Sequence, residues 1–133
     1  MYKRQTIGPR GIVSIEELSL YSMSLHLEYK FLCDVPLEII NEFKTNLPSN
    51  HYKRAVFTSE ENQRTLKAVN FLKDGDVVQL GNLLYSSHKG LRDLYEVSCD
   101  ELDFLVDLTK PFEKILGARM MGGGFGGCTI NLV

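Results

Sequence analysis

Between Arg119 and Cys128 the chain reads Arg-Met-Met-Gly-Gly-Gly-Phe-Gly-Gly-Cys, which places five of its eleven glycines within residues 122–127. A glycine gives up more backbone freedom on folding than alanine, roughly 0.5–1 kcal/mol each, so so dense a cluster needs a geometric reason. Two exist: backbone angles closed to other residues, or a main chain that must pass a ligand or another backbone with no side chain between. Gly122, Gly124 and Gly127 formally satisfy G-x-G-x-x-G, but the dinucleotide form of that pattern lies between a strand and a helix, whereas here a strand follows. No Lys-Ser or Lys-Thr comes after the glycines, which excludes a Walker loop. The plain alternative is a hairpin turn with structural glycines. Such a turn needs one or two of them, and five set around a single aromatic, Phe125, suit a backbone that passes close to something else.

The other residues able to do chemistry read mainly as structural. His88 could serve as a general base, but no nucleophile or carboxylate stands with it at a defensible spacing, and a histidine linking helices is the favoured reading. Glu60, Glu61 and Arg64 suggest a solvated or paired helical face rather than a metal site. Arg119 supports the hairpin by pairing with an acid, with contact to phosphate as the lesser alternative. Cys128 reads as a small core residue at the start of a strand. Cys33, Cys99 and Cys128 are odd in number and far apart with no C-x-x-C pair, which points to reduced thiols and to neither a zinc site nor a disulfide framework.

Composition narrows the class. The 44% apolar and 24% charged content is that of an ordinary globular domain. With a net charge of −2, a nucleic-acid partner is not expected. No run approaches the length of a membrane span and no secretion signal opens the chain, so the expectation is a cytoplasmic protein with no membrane partner.

The elements that must position these residues follow from periodicity and punctuation. Residues 1–13 read as a disordered or arbitrary lead, and 14–133 as one partial domain. Ile15, Leu18, Tyr21, Met23, Leu25, Leu27 and Phe31 mix helical and alternating spacings. Pro36 opens a short helix over about 36–46, which Pro48 ends. Ser49 or Asn50 caps a longer helix running to Gly75, with Tyr52, Ala55, Val56, Ser59, Leu66, Val69 and Leu72 as core candidates; a strand over Arg54 to Thr58 is the alternative. Asp76 to Gln79 and Ser98 to Glu101 both fit a capping box. The first starts a helix that carries Val77, Leu80, Leu83 and Leu84 toward His88, and the second one that carries Leu102, Leu105 and Val106 toward Pro111. Residues 118–121 and 128–133 read as strands flanking the glycines, with Cys128, Ile130 and Leu132 on one face. The fold class is α+β, helices packed on one face of a small antiparallel sheet. Two strands alone are marginal, so more strand is expected in the first 35 residues or in chain not supplied.

Three ordered stretches resemble the galactokinases, members of the GHMP small-molecule kinases. LGARMMGGGFGGCTINLV resembles their third signature, close to G-A/S-R-M-T-G-G/A-G-F-G-G-C, with Met121 in place of the commoner Thr. SSHKGLRDLYEVSCDELDFLV is similar to S-H-x-S-L-R-D-x-Y-E-V-S, with Gly90 where Ser is usual, and HYKRAVFTSEENQRTLKAV to a Y-R-R-A segment ending in E-N-x-R. In SLHLEYKF, Tyr29 is an echo of an S-E-Y segment. The resemblance covers about residues 33–133 and implies an incomplete GHMP kinase C-terminal, ferredoxin-like domain. The motifs that grip the sugar, the phosphate loop and the catalytic aspartate have no counterpart here. The chain therefore looks like the C-terminal half of a galactokinase cut at both ends.

That resemblance implies transfer of the γ-phosphoryl of ATP to the anomeric hydroxyl of galactose with Mg2+, the missing N-terminal domain being a further partner. It implies no catalytic residue and no metal ligand in this chain, which alone should be inactive. Gly122, Gly123, Gly124, Phe125, Gly126 and Gly127 would line the cleft, with Arg119 in support. Arg92, Asp93 and Glu96 match a family motif and suggest interhelical hydrogen bonding or contact with the absent domain. Alternatives are a non-catalytic sugar and nucleotide sensor, a related kinase acting on galacturonate, N-acetylgalactosamine or arabinose, and a binding domain that dimerises to complete its sheet.

Overall fold

The computed structural model describes residue 29 and residues 31–133. The expectations for residues 1–13, and for the mixed pattern up to Lys30, lie outside the described residues apart from Tyr29. The chain divides into two units, residues 1–59 and 60–133. In the first, a 3-10 turn over Leu32–Asp34 leads into helix α1, Leu37–Glu42. Val35, Ile40, Leu47 and Ala55 form its buried cluster, against which Tyr29, Phe43 and Tyr52 pack. Two hydrogen bonds fasten the cluster to helix α2, Ser49–Asp74: Tyr52 donates to Asn41 Oδ1 at 2.8 Å, and Ser59 Oγ to the Val35 carbonyl at 3.3 Å.

Pro36 sits at the cap of α1 with φ −59°, one place before the helix proper. The helix ends at Glu42, four residues short of the expected boundary. The amides of Asn46 and Leu47 both donate to the Phe43 carbonyl, which tightens the chain into turns before Pro48. α2 is helical throughout, so the strand alternative for residues 54–58 does not hold. Gly75, at φ +72°, stops it: its amide donates to the Leu72 carbonyl and that of Asp76 to the Phe71 carbonyl, the paired bonds of a left-handed helix stop.

The second unit continues α2 and adds α3 (Val77–Asp93), α4 (Asp100–Thr109), β1 (Gly117–Met121) and β2 (Cys128–Leu132). β1 and β2 pair antiparallel, Gly117 opposite Leu132 and Met121 opposite Cys128, and the Leu116 amide extends the ladder to the Leu132 carbonyl at 2.8 Å. α3 and α4 both pack on β1, and α4 also on β2. Ala118 and Met120 are fully buried on the strand, and Leu102 and Val106 nearly so on α4. A hydrogen bond of 2.9 Å between the hydroxyls of Tyr85 and Thr109 ties α3 to α4. The α+β class of helices on a small antiparallel sheet is thus the observed one. No helix among the described residues is long and apolar enough to cross a membrane.

Several local expectations are corrected. Asp76 Oδ1 accepts from the Gln79 amide at 3.0 Å, but the Asp76 amide is already committed to Phe71, so only half of that capping box forms. The second box does not form: Cys99 is the cap residue of α4 and makes no side-chain cap bond, because the Ser98 hydroxyl donates to Asp103 at 2.5 Å instead. Leu66, Val69 and Leu72 are exposed, as is Val77, and Leu105 is 42% exposed. Among the described residues no other element packs closely along that stretch of α2, while Phe57, absent from the expected core, is buried. In the hairpin, Cys128 is exposed and Ile130 is 47% exposed. Their register partners are Met121 and Arg119, so they share the face opposite Ala118 and Met120, and helices cover the Ala118 side.

Candidate functional site: the glycine-rich loop and its supports

The glycines joining β1 to β2 are conformationally distinct. Gly122, Gly124, Gly126 and Gly127 have φ of +90°, +87°, +130° and +112°, and Phe125 stands at +60°. At Gly124 the reason is also contact: a Cβ there would lie 2.1 Å from the Val97 carbonyl oxygen. The next amide, that of Phe125, donates to the same oxygen at 2.8 Å. The crown of the loop is therefore seated on the main chain between α3 and α4, and the something it passes close to includes a backbone of its own chain. By contrast, a Cβ built at Gly122, Gly123 or Gly126 would meet no atom of the described residues within 4 Å. The Phe125 ring is 70% exposed. The loop is held from behind and open in front, a form that lets a ligand approach bare main chain.

The last residues before the loop are held as firmly. Arg119 Nη1 lies 3.0 Å from Glu61 Oε1, so the expected pairing with an acid is observed, and its Nε donates to the Met120 carbonyl at 3.1 Å. Glu61 Oε1 also accepts the Ser87 hydroxyl at 2.6 Å, and its Oε2 pairs with Arg64 Nε at 2.7 Å. Glu60 adds a contact of 3.4 Å to Arg64. Glu60, Glu61 and Arg64 thus form the paired face expected of them. The extension to Ser87 and Arg119 carries no signal in sequence, because the partners lie 26 and 58 residues away.

His88 is buried and structural. Its Nδ1 accepts the Met120 amide at 3.2 Å, which leaves the proton of the neutral ring on Nε2, 3.1 Å from Asp103 Oδ1 without the alignment of a full hydrogen bond. It links helix to strand and abuts a second helix, rather than joining helices alone. Arg92 bonds Asp93, its neighbour in sequence, at 2.7 Å, so of the two expected roles, interhelical hydrogen bonding or contact with the absent domain, the pair does not show the first among the described residues. The three cysteines form no disulfide, and Cys128 at the loop's exit is a surface residue rather than part of the core.

Burial pushes the His88 imidazole below its usual value of 6.5 despite the opposing pull of Asp103, and Arg92 pushes in the same direction as burial. Above about 6.5 the ring is neutral in folded and unfolded chain alike, and the stability of the fold is fully present. As pH falls below 6.5 the unfolded chain takes up the proton first, so stability declines until the folded ring titrates too. Urea denaturation should therefore show a midpoint that drops from pH 7 to pH 5.5, and His88→Gln should flatten the drop. Asp93 and Asp107, held below 3.8 by hydrogen bonds from Arg92 and Lys110, act only in a more acidic window.

Comparison with known proteins places these features in context. Residues 65–133 match the family pattern described as GHMP kinases C terminal. The galactokinase of Thermotoga neapolitana is 58% identical over 95 residues, covering 71% of this chain and 27% of that protein. That of Actinobacillus pleuropneumoniae is 45% identical over 108 residues, covering 78% and 28%. Among solved structures, Lactococcus lactis galactokinase complexed with galactose superposes with a TM-score of 0.78 at 32% identity, over 95% of this chain and 35% of that one. The matches thus span about a quarter to a third of the length of these relatives.

Proposed function

We propose, from the premise that this chain belongs to the GHMP kinase family, that it works as part of a cytoplasmic galactokinase, passing the γ-phosphoryl of ATP to the anomeric hydroxyl of galactose to give galactose 1-phosphate and ADP. The observation that carries the reading is the glycine-rich loop, braced on Val97 behind and bare at Gly122, Gly123 and Gly126 in front. Main chain of this kind can lie against a polyanion at a distance no side chain would permit. The similarity to galactokinases over 71% of the chain supports the substrate class.

Phosphoryl transfer is chiefly positioning and electrostatics, so a wall that fixes where the phosphates lie contributes without touching a proton. Residues 122–127 supply that wall, and Arg119 steadies it from β1. Magnesium, when bound with ATP, spreads charge on the phosphates. Among the described residues no group of three or more His, Cys, Asp and Glu side chains could hold a metal, so no step is assigned to a metal ligand of this chain. On this reading the base that takes the sugar proton is supplied by polypeptide outside this chain.

The purified 133-residue chain should show no galactose-dependent ADP release in a coupled assay. The whole polypeptide that contains this stretch should show it, with galactose preferred over galacturonate, N-acetylgalactosamine and arabinose. Binding of sugar and nucleotide without turnover would replace the kinase reading with that of a sensor.

A further inference from the structure

We propose that Glu61 is the positioning residue of the glycine-rich loop, setting where Arg119 stands and thereby the line on which residues 122–127 leave β1. The inference rests on the reading that the loop borders a phosphate-bearing cleft. The Glu61 carboxylate is 23% exposed and serves three donors from three elements: the Ser87 hydroxyl on α3, Arg119 on β1 and Arg64 on its own helix. Ser87 and His88 are consecutive residues of α3, and Arg119 and Met120 consecutive residues of β1. Ser87 holds Arg119 through the interposed carboxylate while His88 Nδ1 holds the Met120 amide directly. Two adjacent tethers of this kind fix both the position and the twist of a strand end, which a single tether cannot. The loop begins two residues later.

The arrangement also assigns Arg119. With Nη1 on Glu61 and Nε on the Met120 carbonyl, the guanidinium joins α2 to the main chain of β1 and acts by bracing the strand. Glu61 is the carboxylate shared by both arginines, and with Glu60 on Arg64 the two negative charges balance the two guanidiniums at the root of the loop. A neutral amide of the same shape would keep at most part of the hydrogen bonding and none of the charge.

The test compares the 133-residue chain with its Glu61→Gln and Arg119→Gln variants by amide NMR and hydrogen exchange, with and without magnesium tripolyphosphate as probe. The expected result is that both variants shift the amide resonances of residues 122–127 and speed exchange of the Met120 and Phe125 amides about ten-fold. The amides around the Asp76 cap, at the far end of α3, should be unchanged, which separates positioning from general loosening. The probe should move the loop resonances of the original chain and move them less in the variants. Loop resonances indifferent to both substitutions would overturn the inference, and if Glu61→Gln fails to fold, Arg119→Gln decides alone. A loop that shifts on substitution but ignores tripolyphosphate in the original chain would uphold the positioning role and remove the phosphate reading instead.

Discussion

Gly124→Ala is expected to destabilise the second unit by about 3 kcal/mol and to strip protection from the Phe125 amide. The position combines two penalties that usually occur apart. A residue with a Cβ held at φ +87° carries strain of order 1–3 kcal/mol. The new methyl would also stand 2.1 Å from the Val97 carbonyl oxygen and 2.9 Å from its carbon, atoms of a main chain that cannot swing away as a side-chain tip could. Relieving that overlap by backbone shifts costs a further 1–3 kcal/mol or so. Gly123→Ala is the control, since its φ is not left-handed and its surroundings are open. It should stay within about 0.5 kcal/mol of the original chain. Urea denaturation of both variants reads the difference, and equal midpoints would mean that the crown of the loop does not sit on Val97.

The second large effect has a sign opposite to propensity. Gly81 lies inside α3, where replacement of glycine by alanine ordinarily stabilises by about 1 kcal/mol. Here a Cβ would come within 2.1 Å of the Leu116 carbonyl oxygen, and one at Gly117 within 2.2 Å of the Gly81 carbonyl oxygen. The two glycines allow α3 and the start of β1 to touch main chain to main chain. Gly81→Ala must push helix and strand apart, opening the packing around Ala118 and Met120, and a net loss of about 2–3 kcal/mol is expected. Asn82→Ala, one position along on the exposed side, should be neutral or slightly stabilising in the same thermal melt. A stabilised Gly81→Ala variant would show that the helix does not approach the strand so closely.

These two sites mark where reading from residues succeeds and where it stops. The hairpin was legible because apolar runs end abruptly at a glycine cluster, and its boundaries agree to within one residue. The end of α2 at Gly75 and the start of α3 at Asp76 were legible because caps are local chemistry, written within four residues of the boundary. Which face of β2 is covered was not. Alternation separates Cys128, Ile130 and Leu132 from Thr129 and Asn131, but the side that helices cover is decided by Ala118 and Met120 on the other strand. Gly81 was passed over, although a glycine among leucines in a helix interior is itself a sign of close approach. Arg119 was rightly expected to meet an acid, yet only the fold could nominate Glu61, 58 residues away. The density of glycines at 122–127 drew attention to the loop, whereas Val97, the residue on which it rests, has nothing in type or spacing to announce it.

The imidazole on Met120 has one more effect, on how this sheet can grow. By taking a main-chain donor that points away from β2, His88 plugs the outer rim of β1 with a side chain that offers an arriving strand no continuous ladder. The rim along β2, spelled Cys-Thr-Ile-Asn-Leu, contains neither charge nor proline to repel a neighbour. Enlargement of the sheet is thereby one-sided: any additional strand, whatever stretch of polypeptide provides it, finds its berth alongside residues 128–132.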